Sequence, residues 1–304
     1  MSGLKRNYSK NNYSKNINIA KTVFIGIPLL SIILLIIYPT YFFIKIMLSR
    51  FDLSFMREPV FIGLTNFINI FSDIYFWNSV FNTFIIVVFA VLIEFALGLC
   101  LALLLGKIFF GGRIIKSLFI IPMMLPPIVA GLNFKLIFDT FGPINEFLKI
   151  FGIDPINWLG NPFWARTSVI IADVWQWTPF IFIILLAGLQ SIPEELNEAA
   201  KVDGASGFNL FRFITWPLLV PSATVALAIR AIDAVKIFDV PFLLTAGGPG
   251  GATEVLSLYI YRATFRFGTM GYGAAMASIM LIGLSLLAVL IIKIINLSNR
   301  MGWD

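Results

Sequence analysis

Six long apolar runs decide what this chain can fold into. They are Thr22 to Leu48, Ser79 to Leu105, Ile114 to Phe138, Arg166 to Leu189, Trp216 to Val240 and Thr269 to Ile295. Each exceeds the roughly 20 residues that a helix needs to cross a bilayer. A hydrocarbon core offers no water to backbone N–H and C=O groups, so a crossing segment must satisfy them internally, as a helix does. The expectation is an all-α polytopic membrane protein with six transmembrane helices spanning 22–295. Composition agrees: 59% of residues are apolar and 12% charged, against about 45–50% and about 25% in soluble domains.

The same composition removes several chemistries. The chain has no histidine, which excludes His-ligated zinc and every His-dependent acid–base or nucleophilic triad. Its one cysteine, Cys100, lies in an apolar run and has no intrachain partner. No G-x-x-x-x-G-K-[ST] occurs; Gly106-Lys107 lacks both the upstream glycine and the following hydroxyl, so the chain has no phosphate-cradling loop of that kind. The net charge of +6 gathers near the ends of the apolar runs, which fits membrane topology and not nucleic-acid binding.

Residues 1–21 are polar and basic, with Lys5, Arg6, Lys10, Lys15 and Lys21 and no acid, and read as a mobile cytoplasmic tail. The first run is too long for a cleaved signal core of about 7–15 residues and reads as a retained span. The link from Gly106-Lys107 through Gly111-Gly112-Arg113 to Lys116 is basic and reads as inside. Residues 49–78, 139–165 and 241–267 mix both signs and read as outside; 296–304 is a short inside tail. Both termini are therefore expected in the cytoplasm. The third run carries Pro122, Pro126 and Pro127, an interruption that membrane helices tolerate where neighbours satisfy the freed carbonyls, commonly beside a cavity.

One interruption looks folded. Ile192 to Pro217 reads IPEELNEAAKVDGASGFNLFRFITWP. Pro193 followed by Glu194 and Glu195 suits a helix start, where acids face the positive end of the dipole. The helix is expected to run through Leu196, Ala199 and Ala200, with an apolar face for a partner groove. Gly204 and Gly207 then permit a bend, and a second short helix, Phe208 to Ile214, is expected to end against Pro217.

Here the sequence resembles a known family. Glu198-Ala199-Ala200, Gly204, Ile214 and Pro217 match the EAA loop of ABC-importer permeases, written E-A-A, three residues, G, nine residues, I-x-L-P. Trp216 stands where leucine is usual. Phe238-Asp239, Leu244-Thr245, Gly247-Gly248-Pro249, Thr253-Glu254 and Tyr259 to Tyr261 resemble the external segment of sugar-type permeases related to the maltose system. The resemblance, over about residues 22 to 300, implies a type I ABC importer permease fold with a cytoplasmic coupling helix in a prokaryotic cytoplasmic membrane. It implies a second permease subunit, a dimeric ABC ATPase that holds ATP and Mg, an extracytoplasmic sugar-binding protein and surrounding lipid. The chain itself would hold no cofactor or metal and catalyse nothing. By the resemblance, Glu198, Ala199, Ala200, Asp203, Gly204, Ile214 and Pro217 would couple to the ATPase. Gly247, Gly248, Pro249 and Thr253 would form a flexible loop near the binding protein.

Charges inside the apolar runs are candidates for a substrate pathway. Glu94 falls near mid-bilayer; Asp173, Arg230 and Asp233 fall in the outer halves of their spans. Arg230, Asp233, Lys236 and Asp239 are spaced i, i+3 and are expected to pair along one helix side. Structural ion pairing and substrate contact both remain open for these charges. Asn133, Asp173, Trp175, Gln176 and Trp177 offer the planar polar groups and aromatic faces that bind sugars, although Trp175 and Trp177 equally suit interface anchoring. The functional alternatives are an ion-coupled secondary transporter, for which Glu94 and the triple-proline run are the hints, and a membrane-embedded enzyme, which the missing histidine disfavours.

Overall fold

The computed structural model describes residues 3–55, 58–106 and 112–301, with side chains from 22 onward except at 112, 113, 201 and 294–301. The chain opens with helix α1 (Gly3–Met47), followed by an antiparallel pair, β1 (Ser49–Arg50) and β2 (Val60–Phe61). Then come α2 (Thr65–Phe71), α3 (Ile74–Leu105), α4 (Gly112–Met124), α5 (Pro127–Ile137), α6 (Pro143–Ile150) and α7 (Pro162–Gln190). The remainder is α8 (Glu194–Val202), α9 (Gly207–Leu210), a π-helical turn Phe211–Thr215, α10 (Trp216–Ala234), α11 (Asp239–Leu244), α12 (Leu256–Tyr261), a second π-helical turn Arg262–Arg266 and α13 (Met270–Met301).

Five stretches among the described residues are long and apolar enough to cross a membrane: Thr22–Met47, Ile74–Leu105, Pro162–Gln190, Gly207–Ala234 and Met270–Lys293. The expected third span makes up the sixth only as a broken pair, Ile114–Met124 and Pro127–Ile137, bent by 95°. Pro126 and Pro127 cause the break, because neither carries an N–H and the residue before a proline is driven to extended backbone. Pro126 itself is extended (ψ 136°), and Pro127 then starts α5. The bend strands the carbonyl of Leu125, and the Gln176 amide of α7 donates to it at 3.0 Å.

The helix that carries the first span begins at Gly3 and so takes in the backbone of residues 3–21. Extending an existing helix adds a hydrogen bond for each residue fixed, without a new nucleation cost. The basic link at Lys107 to Arg113 lies outside the residues whose side chains are described.

Helix α7 is the axis of the bundle. Asn161 caps it, accepting from the N–H of Phe163 and Trp164, and Pro162 occupies its first turn. Helix α3 packs along it closely at Gly98, where a Cβ would lie 2.7 Å from Ile181 Cγ2 and 3.1 Å from the Phe182 nitrogen. Two apolar clusters line this axis. One joins Ile86, Phe134, Phe138, Val169, Ala172 and Val240. The other joins Ala102, Ile181, Phe182, Leu185, Leu219 and Ala223. Helix α1 lies at the edge against α13, with its apolar side chains outward.

At the start of α3, Asp73 accepts from the Tyr75 N–H at 2.8 Å and from the hydroxyls of Tyr259 (2.5 Å) and Tyr272 (2.7 Å). Partial burial works to raise the Asp73 pKa, but these hydrogen bonds outweigh it and hold the carboxyl below its ordinary range. One carboxylate thereby ties α3 to α12 and α13.

Because the α3–α7 contact leaves no room for a side chain, Gly98→Val is expected to destabilise the detergent-purified protein by about 1–3 kcal/mol, the usual cost of overpacking. A thermal melt equal to the parent's would show that the two helices can separate freely there.

Candidate functional site

Between the two apolar clusters lies a buried polar layer. Glu94 comes from α3, Asp173 from α7 and Arg230 from α10, and all three are buried. Arg230 donates through Nε to Glu94 Oε2 at 2.7 Å and through Nη2 to Glu94 Oε1 at 2.9 Å, and Nη2 also donates to Asp173. The Arg230 guanidinium carbon lies 5.3 Å from the centre of the Trp177 ring, within cation–π range. A planar fork suits this role: it engages one carboxylate with two bonds and still reaches a second.

The geometry corrects the expectation of an i, i+3 ladder from Arg230 to Asp239. Helix α10 stops at Ala234, and Asp239 belongs to the first turn of α11. Lys236 does pair with Asp233, at 3.0 Å and near the surface, but Arg230 turns across the bundle instead. Two buried carboxylates would otherwise lack a counter-charge, a greater penalty than the loss of one exposed helix-surface pair.

A cleft of about 280 Å³ opens on this layer, lined among others by Asp173, Gln176, Trp177, Arg230, Asp233 and Asp239. A neighbouring space of about 470 Å³ shares Trp177, Arg230, Asp233 and Lys236. Gln176 is buried; its amide nitrogen is used by Leu125, while its Oε1 has no partner among the described residues. A buried acceptor without a donor is uncommon. Asn133 and Trp175 are not brought to this cleft. They line a separate space of about 380 Å³ with Phe134, Leu136 and Ile137, and Trp175 meets Phe134 edge-on at 5.3 Å. The reason is helical: Trp175 and Trp177 are two residues apart and project in different directions.

The folded interruption is a helix, a bend and a helix. Gly204 has φ +85° and Gly207 φ +52°, backbone that residues with a Cβ avoid. Glu198, Ala199, Asp203 and Gly204 are exposed, whereas Ala200 turns inward, so Leu196, Ala199 and Ala200 do not share one outward face. The second helix does not end against Pro217. It passes through the π-helical turn Phe211–Thr215 directly into α10, with Pro217 in the first turn of α10. The wider π turn accommodates a residue without an N–H. Ile214 lies within that turn, and Trp216 packs against Phe95 (6.4 Å) and Phe211 (6.0 Å).

The segment around Gly247 is a braced loop, not a flexible one. Thr253 is buried and its hydroxyl donates to the Gly248 carbonyl at 2.7 Å while meeting Thr245 Oγ1 at 2.6 Å. Asn82 of α3 donates to the Gly251 carbonyl at 2.8 Å, and Arg166 of α7 donates to the Ala252 carbonyl at 2.9 Å and to Asn82 at 3.1 Å. Arg262 pairs with Glu254 beneath the loop and also donates to the Ala246 carbonyl. Burial raises the Glu254 pKa despite the neighbouring Arg262. Gly247 and Thr253 are thus enclosed; Gly250 is exposed and Gly248 and Pro249 are half-buried. Sequence reading missed Asn82, Arg166 and the Glu254–Arg262 pair. Asn82 could have been noticed as a polar residue inside an apolar run; its partner 169 residues away could not.

Helices spanning a bilayer, a broken span and an ion-paired layer beside a cleft define a membrane transport subunit. Residues 94–300 match the family described as "Binding-protein-dependent transport system inner membrane component". The trehalose/maltose transport system permease protein MalF of Thermococcus litoralis is 42% identical over 253 residues, 83% of this chain and 85% of that protein. The sulfoquinovosyl glycerol transport system permease protein SmoG of Agrobacterium fabrum is 38% identical over 248 residues, 81% and 80% of the two chains. A bacterial alginate ABC transporter, solved with a periplasmic protein bound to an alginate pentasaccharide, has a chain that superposes with a TM-score of 0.74 at 24% identity, covering 95% of this chain and 96% of that one, which shows the fold. The chain belongs to the family of inner-membrane components of binding-protein-dependent transport systems. It is a multi-pass ABC importer permease with the type I fold, and the ion-coupled alternative does not stand.

Removing one partner from a buried ion pair leaves an uncompensated charge, at a cost of about 3–5 kcal/mol. Arg230→Met is therefore expected to lower the thermal stability of the purified protein far more than Glu94→Gln, which leaves Arg230 paired with Asp173. Equal losses in the two melts would mean that the layer is not held by its charge balance.

Proposed function

We propose that this permease carries a sugar or related polyol inward by alternating access, driven by ATP and Mg held on a separate dimeric ABC ATPase. The cleft beside the ion-paired layer supports this reading best. It places the Trp177 ring, the Gln176 side chain, and the carboxylates of Asp173, Asp233 and Asp239 around one space. An aromatic face with planar hydrogen-bonding groups is chemistry that recognises a polyhydroxylated ring. The relatives named for trehalose and maltose and for sulfoquinovosyl glycerol belong to the same substrate region.

In this reading both termini and the loop 192–217 face the cytoplasm, and the protein lies in a prokaryotic cytoplasmic membrane. The exposed Glu198, Ala199, Asp203 and Gly204 dock on the ATPase, and a second permease subunit completes the pathway. The loop from Gly247 to Thr253 faces an extracytoplasmic sugar-binding protein, with contact falling on its exposed part around Pro249 and Gly250. Beyond the bend, α9, the π-helical turn and α10 are continuous, so a displacement of Gly207 is carried along one helix to Arg230.

A β-branched residue at φ +85° costs on the order of 1–3 kcal/mol in backbone strain. Gly204→Val is expected to abolish uptake in reconstituted vesicles and ATPase co-purification, while membrane insertion is unchanged. Normal uptake with a normally assembled ATPase would refute the coupling role. Uptake by the purified chain alone, driven by an ion gradient, would refute the importer reading itself.

A further inference from the structure

The connector between α5 and α7 carries apolar surface that the transport reading does not use. Phe141, Phe147, Ile150, Phe151 and Ile153 are all exposed, at 83%, 60%, 77%, 65% and 47%. The exposure is built, not incidental, because the connector is locked from within. Asn145 is buried; its amide donates to the carbonyls of Thr140 and Ile156, both at 3.0 Å. Its carbonyl accepts from the Ile156 N–H and the Trp158 indole N–H, both at 3.0 Å. Phe147 and Phe151 lie edge to face at 5.1 Å.

Helix α6 divides into three sectors. At about 100° per residue, Ile144, Asn145 and Leu148 share one side, and this side packs on the apolar cluster around Phe138 and Trp158. Phe147, Ile150 and Phe151 form a second sector, exposed and wholly apolar. Glu146 and Lys149 form a third, exposed and paired to each other at 2.5 Å. Apolar and charged sectors thus flank the packed side on opposite edges. A helix lying along a membrane boundary has this division, with one flank toward acyl chains and the other toward water.

Continuity with the lipid-facing surface identifies the occupant. The connector leaves α5 just after the exposed Leu132 and Leu136 and enters α7 at the exposed Phe163. Trp158 and Trp164, 4.9 Å apart and edge to face, pack the connector onto the start of α7. A soluble partner would instead find its apolar patch beginning inside the bilayer.

We propose that α6 and the residues after it are a membrane-surface anchor: Phe147, Ile150 and Phe151 insert among the lipids of the adjoining leaflet while Glu146 and Lys149 stay in water. The anchor sets the depth of the broken α4–α5 pair, whose second half ends only a few residues earlier. It does not depend on which sugar is carried.

Site-directed quenching tests this. The probe is an environment-sensitive fluorophore on a single cysteine, in a Cys100→Ser background, at Phe147→Cys, Ile150→Cys or Lys149→Cys. The chain is purified with whatever subunits accompany it and reconstituted in phosphatidylcholine vesicles. Spin-labelled phosphatidylcholine is expected to quench the probes at 147 and 150 severalfold more than aqueous iodide does, with the order reversed at 149. Iodide quenching of all three would place the sector in water and overturn the proposal. Protection of 147 and 150 from both quenchers would mean that a protein covers them, and would overturn it equally.

Discussion

Arg230 is the charge on which the middle of this protein depends. Two carboxylates, on α3 and α7, lie deep between apolar clusters, where an unpaired charge carries a large desolvation cost. The guanidinium on α10 engages Glu94 through two bonds and Asp173 through a third, and so fastens three central helices at one level. It is also a wall of the cleft, against Trp177. The group that holds the spans together therefore also lines the cleft. Movement of α10 must either carry α3 and α7 with it or separate charges at considerable cost.

A second constraint follows from the solvent. Backbone groups in a bilayer cannot turn to water, so each departure from a regular helix needs a named partner. The Pro126–Pro127 break finds one in Gln176, whose amide answers the stranded Leu125 carbonyl. Pro217 is absorbed by a π-helical turn instead of a break, which keeps α9 to α10 mechanically continuous. Outside the spans the same accounting produces the braced loop, where Asn82 and Arg166 satisfy the carbonyls of Gly251 and Ala252.

The helix–bend–helix at 192–217 was legible because its signals are local: Pro193 and two acids to start, Gly204 and Gly207 to turn. The spans were legible by length and polarity, apart from the angle of the third. Arg230 and Asp173 stood out as charges in apolar runs, but their partnership did not. Nor did the separation of Trp177, which faces the cleft, from Trp175, which does not. The burial of Thr253 was hidden too, because its enclosure comes from residues on α3 and α7 far away in sequence.

By itself the sequence determined that the chain is a bundle of membrane-crossing helices with one folded polar loop. Apolar run length, proline and glycine act within a few residues, and the bilayer allows few alternatives. Only the tertiary structure decided which charges neutralise one another, where the cleft lies and which side of each helix is covered. Those outcomes depend on contacts such as Glu94 with Arg230, 136 residues apart, and local sequence places no restriction on them until the helices pack.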